Sequence, residues 1–242
     1  SYKEFWMATV EDEGVVLGCV AQTPPWRMIL TRMPAAALAS LVEALEVRFP
    51  ALEGVNGPVE MVEAFCAQWS PGVWVVLEMD QGIYTLSQVQ LPANPAPGGM
   101  RVIREEDLSF LESWVAGFQQ ATGLPDSSAA ARLLEARLAH GSLYIWEREG
   151  QPVSMAGWSG QTPHGVRVNL VYTPPEHRGR GYASILVAQV RQHLLDLGRE
   201  FCFLYTDLGN PTSNKLYRRL GYHHVCNGRV VGFDYGAGRI TP

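Results

Sequence analysis

The segment Val171-Tyr172-Thr173-Pro174-Pro175-Glu176-His177-Arg178-Gly179-Arg180-Gly181-Tyr182-Ala183-Ser184 constrains the fold of this chain most. A β-rich, apolar stretch ends in two prolines, a basic glycine-rich turn follows, and an unbroken helical pattern begins at Tyr182. Strand, cationic turn and helix start together make an anion cradle. Backbone N–H groups without intrahelical partners point out of the helix start, and the helix dipole adds positive potential there. Gly179 and Gly181 let the backbone approach a phosphate closely, and Arg178 and Arg180 supply charge. The segment predicts a phosphate-bearing ligand, a cofactor, near position 180.

The periodicity around this segment predicts an α/β protein. With 242 residues, 47% of them hydrophobic, the chain can build one large core or two modest ones. Pro92 to Gly99 holds three prolines and two glycines, which cannot continue a helix or a central strand, and reads as a linker between residues 1–91 and 100–242. Beyond it, strands are expected at Met100–Arg104, Leu143–Glu147, Val153–Ser159, Val166–Thr173 and Phe201–Tyr205, and then near Tyr222–Cys226 and Arg229–Asp234. Helices are expected at Glu105–Gln120, Ser127–His140, Tyr182–Leu197 and from Asn210-Pro211 to Leu220. The first part reads as strands Phe5–Val10, Val15–Gln22 and Arg27–Thr31, helix Pro34–Arg48, a short strand Leu52–Val55, helix Pro58–Trp69, and a hairpin of Val73–Met79 with Tyr84–Gln90 around Gln81-Gly82. That order repeats the later part of the second half, β-β-β-α-β-α-β-β, as a diverged duplicate would.

A net charge of -5 argues against wide contact with nucleic acid. No stretch reaches the roughly 18 apolar residues of a membrane span, and the first residues lack the pattern of a signal peptide. Cys19, Cys66, Cys202 and Cys226 are widely separated in apolar contexts without metal-ligand spacing. Buried, reduced thiols in a cytoplasmic protein, with no metal, are expected.

Two motifs carry a family resemblance. Arg178-Gly179-Arg180-Gly181-Tyr182-Ala183 fits the (Gln/Arg)-x-x-Gly-x-(Gly/Ala) signature of the GNAT superfamily of N-acetyltransferases, and Asn210-Pro211-Thr212-Ser213-Asn214-Lys215-Leu216-Tyr217 with Gly221-Tyr222 resembles its later motif. Residues from about 100 to 235 resemble a complete GNAT domain. The whole chain looks like the type with a degenerate N-terminal half, related to the glycine N-acyltransferase-like branch. The resemblance implies a mixed central β-sheet flanked by helices, with acetyl-CoA as donor. It places the pyrophosphate on N–H groups from Arg178 to Ser184, including Gly179, Gly181, Tyr182 and Ala183. It also implies that the strand through Val171, Tyr172 and Thr173 splays from the next parallel strand, and that the cofactor arm inserts between them.

The chemistry sets two proton problems. An alkyl ammonium (pKa about 10.4) must lose a proton before it attacks the thioester, and the departing thiolate (parent thiol about 8.5) gains from receiving one. Tyr217 stands at the family's tyrosine position and is the expected acid; a buried ring with a satisfied hydroxyl is the structural alternative. Asn210 is expected either to contact the cofactor or merely to cap its helix. Many GNAT enzymes carry a Glu on the strand entering the cofactor motif, but here Asn169 stands there, and no carboxylate lies between Gln161 and Pro175. His164, Asp207, His223 and His224 are the remaining base candidates. Trp114, Phe118, Trp146 and Trp158 are candidates for the acceptor pocket, or core. The first half passes from Thr31 through Arg32-Met33-Pro34 straight into a helix and lacks the cradle, so it is expected to be structural and to help wall the acceptor site. The expected reaction is transfer to a primary amine of a small molecule or amino acid; the competing readings are a CoA-binding regulatory module and acetylation of a protein amine. Monomer and homodimer stay open.

Overall fold

A computed structural model describes residues 5–24, 26–69, 72–123 and 130–236. Its elements, in chain order, are β1 (Trp6–Asp12), β2 (Val15–Gln22), β3 (Met28–Leu30), α1 (Ala35–Arg48), β4 (Gly54–Pro58), α2 (Val59–Gln68) and β5 (Trp74–Leu86). There follow β6 (Gly99–Val102), α3 (Leu108–Thr122), α4 (Ala130–Ala139), β7 (Leu143–Arg148), β8 (Gln151–Ser159), β9 (Gly165–Tyr172), α5 (Tyr182–Asp196), β10 (Phe201–Asp207), α6 (Pro211–Arg219) and β11 (His223–Asp234). The mixed sheet flanked by helices is the expected fold class. The first residues of the helix expected from Ser127 lie outside the described residues.

The chain packs as two compact units. One runs to Ile83 and takes in Asp207–Gly209 and the chain from Cys226 on; the other comprises Tyr84–Thr206 and Asn210–Val225. The division therefore does not fall at the 92–99 linker. That stretch packs within the second unit: the Trp146 indole N–H donates to the Pro97 carbonyl at 3.0 Å, and Ala96 lies against the core.

The expected hairpin at Gln81-Gly82 and the expected pair of strands around Asn227-Gly228 are each a single long strand. Gln81-Gly82 continues β5, because Gly82 does not take the positive φ that a tight turn requires, and the buried Gln81 amide donates to Asn56 Oδ1 at 2.8 Å. Likewise β11 runs unbroken through Asn227-Gly228, pairing Gly228–Gly232 antiparallel with Gly54–Pro58. The same pairing draws β4 beyond the expected end at Val55 to Pro58. Glu149-Gly150 forms the turn between β7 and β8, with φ of 52° and 77°.

In the first unit α1 and α2 cover β1–β4 through one core that includes Leu38, Leu41, Val62, Phe65 and Val231. In the second unit the sheet carries a core on each face. Leu186, Val190 and Leu194 of α5 pack on Val166, Val168 and Cys202, while Leu111 and Val115 of α3 and Leu134 of α4 pack on Ile145, Met155 and Leu170. A third cluster joins α6, through Tyr217, to Leu204 of β10. Covering both faces makes the central strands read as continuous apolar runs, as in Phe201–Tyr205.

Candidate active site

β9 and β10 are parallel, joined by α5, but they pair only through Phe201↔Gly165, Cys202↔Val166 and Phe203↔Arg167. β9 then continues to Tyr172 without β10, so the two strands part and each shows backbone donors and acceptors to the gap. The far end of this gap meets the start of α5.

A bulge lies on the other side of the same stretch of β9. Met155 pairs with Tyr172 and Gly157 with Asn169, so Leu170 and Val171 together oppose the single residue Ala156. Leu170 takes a φ of 50°, uncommon for a branched side chain, while burying its own side chain in the core beneath α3. Such a bulge leaves one residue outside the ladder and re-aims its neighbours. No local sequence signal announces it.

The strand end is braced from two sides. The fully buried Ser154 hydroxyl donates to the Tyr172 carbonyl at 3.1 Å and lies 2.9 Å from Thr173 Oγ1. Arg178 Nε donates to the Thr173 carbonyl at 2.9 Å, and its guanidinium lies 5.7 Å from the Tyr172 ring centroid. Arg178 thus closes the loop back on β9, a role that its place in the turn did not reveal, and the Thr173 carbonyl already has a partner.

At the helix start, Gly179 and Gly181 take φ of 77° and 81°, and Gly181 is the N-cap of α5 with no side-chain cap. A Cβ at Gly179 would meet nothing within 4 Å and one at Gly181 only Ala96 at 3.9 Å, so the glycines serve backbone conformation and not space. The first-turn amides, those of Tyr182, Ala183 and Ser184 among them, have no intrahelical acceptor. Positive φ on both sides of Arg180 turns neighbouring amides together, which makes an anion-binding concavity. Arg180 is exposed, whereas the Tyr182 ring is buried. Arg148 donates to the Tyr182 phenol oxygen at 3.0 Å and, with Arg180, lowers its pKa.

Tyr217 is buried in α6 between Leu204, Tyr84 and Tyr222. Burial raises its phenol pKa, and the cation of Arg191 opposes that rise. Arg191 was not foreseen. Its side chain is fully buried, its guanidinium sits 3.8 Å from the Tyr222 ring centroid and 5.7 Å from that of Tyr217, and its nitrogens make no well-formed hydrogen bond. The signal was available: Arg191 stands four residues after Val187 and three before Leu194, on the apolar face of α5. Burial also pushes the nearby Cys202 thiol up to about 11. Cys202 alone of the four thiols is buried; Cys19, Cys66 and Cys226 are half-buried.

Asn210 caps α6: its Oδ1 accepts from the Ser213 amide at 3.1 Å, the simpler of its two expected roles. Asn169 is pinned, its Nδ2 donating to Ser159 Oγ at 2.6 Å and its Oδ1 accepting from Arg137 at 3.4 Å. His164 pairs with Glu200 at 2.7 Å, next to the paired end of β9 and away from the gap. Asp207 Oδ1 accepts from the Gly209 amide within its own turn, and His224 lies edge-on to Tyr84 at 5.3 Å. Asn169, His164, Asp207 and His224 are each engaged by a neighbour. Trp146 is core. Trp114 and Phe118 pack beneath α3 with Tyr172. Among the described residues no group of three or more His, Cys, Asp or Glu side chains is placed to hold a metal ion, and no helix is long and apolar enough to cross a membrane.

The parted strand pair, the bulge and the glycine-started helix all lie within one stretch that matches a known family. Residues 105–222 match the model of the acetyltransferase (GNAT) family. Solved structures of similar fold include a GNAT-family acetyltransferase from Colwellia psychrerythraea (12% identity, 94% of this chain and 84% of that one, TM-score 0.64). A GCN5-related N-acetyltransferase from Kribbella flavida aligns at 17% identity over 90% of this chain and 88% of that one, TM-score 0.64. Another, from Sphaerobacter thermophilus, aligns at 18% identity over 91% and 77%, TM-score 0.62. No curated protein matches the sequence.

Proposed function

We propose that this protein is an acetyl-CoA-dependent N-acetyltransferase that acylates a primary amine of a small molecule or amino acid within a ternary complex. The observation that carries the reading is the gap between β9 and β10 opening onto the glycine-started end of α5. The residues fit the cosubstrate. Unpartnered amides from Gly179 to Ser184, with Arg180 beside them, suit a diphosphate, and the free backbone edge at Val171 suits an amide-bearing arm. Bound there, acetyl-CoA would supply the acetyl group already activated as a thioester.

The chain's own groups then have defined tasks. Ser154 and Arg178 hold the end of β9 in place, and the bulge at Leu170-Val171 takes one residue of β9 out of its ladder with β8. Tyr217 is read as the donor to the departing thiolate: a phenol of ordinary pKa, about 10, holds its proton at neutral pH, and burial shifts it further up. The chain offers no carboxylate at Asn169, so the acceptor amine enters neutral or gives its proton to water. The first unit, lacking a cradle, is read as a structural, diverged half, and the free thiols fit a cytoplasmic protein.

One observation favours a second reading, an acyl-CoA-binding regulatory module: Asn169 is held by Arg137 and Ser159 where a base would serve catalysis. The two separate in one experiment, in which acetyl-CoA binding is measured by calorimetry and free thiol is followed across a panel of amines and amine-bearing peptides. Transfer is expected for a subset of small amines. Tight acetyl-CoA binding with no thiol released for any acceptor would leave only the regulatory module.

A further inference from the structure

The face of the sheet turned toward α3 and α4 carries two cations at the fork of the gap. Arg167 is the last residue of β9 that still pairs with β10, and its guanidinium lies 5.5 Å from the ring centroid of Tyr205. Arg137 of α4 reaches the same face. It donates to the Trp158 carbonyl and to Asn169 Oδ1, and it is 9% exposed. Among the described residues no carboxylate is hydrogen-bonded to either arginine. Burial lowers the Arg137 pKa to about 10, with repulsion from Arg167 adding to the fall. Two like charges that repel across one face, one of them in a poor dielectric, are costly unless an anion joins them. Next to Arg167 on this face, β10 adds two aromatic side chains, Phe203 and the 44%-exposed Tyr205, 6.1 Å apart between centroids.

We infer that Arg167, backed by Arg137, is the specificity site for a carboxylate on the acceptor, so that the amine acylated here is one carrying an acid group with an apolar or aromatic flank, and not a polyamine or a lysine side chain. A guanidinium recognises a carboxylate in a planar, two-point fashion that an ammonium cannot copy. Arg167 stands three residues before the bulge in β9, so a carboxylate held there would keep its amine near the parted strands. Aromatic walls bury apolar area without demanding a hydrogen bond.

This inference rests on the transferase reading, and its test separates the two. Acceptors are compared in pairs that differ only in charge: glycine with glycinamide, phenylalanine with phenylalaninamide and phenethylamine. Binding of N-acetylphenylalanine and of its amide is measured by calorimetry in parallel, which needs no turnover. Acids are expected to show KM values at least tenfold lower than their amides, and Arg167→Met to raise KM for the acids by about 10- to 100-fold, in line with the loss of a charge-assisted bond, while amides change little. Arg167→Lys should recover part of the loss. If no acceptor turns over but the free acid binds and Arg167→Met abolishes that binding, the anion site stands and the transferase reading falls. Equal use of acids and amides, preference for polyamines or basic peptides, or acid binding that Arg167→Met leaves intact would overturn the inference.

Discussion

Each half of the chain contains a parallel strand pair joined by a helix, and the two pairs differ in how the first strand reaches that helix. β3 ends at Leu30 and α1 begins at Ala35, with Pro34 as N-cap at φ -60°. β3 is three residues long and pairs with β4 through Met28↔Val55 and Ile29↔Asn56. A Cβ at Gly57 would come within 2.7 Å of the Leu30 carbonyl oxygen, so the two strands stay in contact to the end. The nearby cation, Arg32, is occupied by Glu60 at 2.7 Å. In the second half β9 outruns its pairing by five residues, Val168 to Tyr172, and nine residues, 173 to 181, separate it from α5. The comparison shows what makes a site in this architecture. Extra strand beyond the last pair opens a gap, and a longer turn with two left-handed glycines leaves its amides facing outward.

If only the second half does chemistry, the largest effects should come from its ionisable groups. Tyr217→Phe is expected to lower turnover by about 100- to 1000-fold, the range of a lost general acid, with acetyl-CoA affinity nearly unchanged. The control is Tyr235→Phe in the first unit, whose phenol bonds the Leu52 carbonyl at 2.9 Å; it should leave turnover as it was. Equal turnover in wild type and Tyr217→Phe would remove the acid role.

A second contrast concerns stability. Asp107 is buried, accepts two bonds from Arg101 at 2.7 and 2.9 Å and one from the Arg104 amide at 2.7 Å; Asp80 in the first unit meets Arg229 in a more exposed setting. Asp107→Asn should cost about 3 kcal/mol, as when one partner of a buried pair is lost. Asp80→Asn should cost about 1 kcal/mol or less. Burial by itself raises the Asp107 pKa, but Arg101 and Arg104 outweigh it, so its folded value lies below the unfolded one. Its stabilising effect is therefore complete above the unfolded pKa and lost as the pH falls through the folded value. Urea titrations at pH 7 and in the acid range measure both effects. Equal losses in the two variants would erase the contrast.

Much of this was legible before the structure. The turn from Arg178 to Gly181 and the start of α5 at Tyr182 were readable because glycine, charge and helical period change together there. The Asn210 cap was readable because its side chain acts within three residues. Residues whose partners are remote in sequence were not. Ser154 braces a carbonyl eighteen positions away, Arg137 meets Asn169 thirty-two away, and Leu170 is bent by its register against β8. The two missed long strands share one cause. Gln81-Gly82 and Asn227-Gly228 are strong turn pairs locally, but partners on neighbouring strands hold both in extended form, and tertiary pairing overrides the local preference.

The comparison of the two helix starts can be broken with a single methyl group. Gly181→Ala adds a Cβ that meets only Ala96 at an ordinary 3.9 Å, so any effect arises from the backbone. An alanine held at a φ of 81° costs about 1–2 kcal/mol, and the chain relieves it by rotating the turn, which disperses the amides that face outward. Acetyl-CoA affinity should fall about tenfold, since 1.4 kcal/mol is a factor of ten. In the first unit Pro34→Ala leaves the φ region unchanged and touches no cradle, so affinity should hold while that helix start loosens slightly. Calorimetry on the two variants decides the matter. A Gly181→Ala protein that binds acetyl-CoA like the wild type would mean that side chains, Arg180 foremost, and not the turned amides, hold the diphosphate.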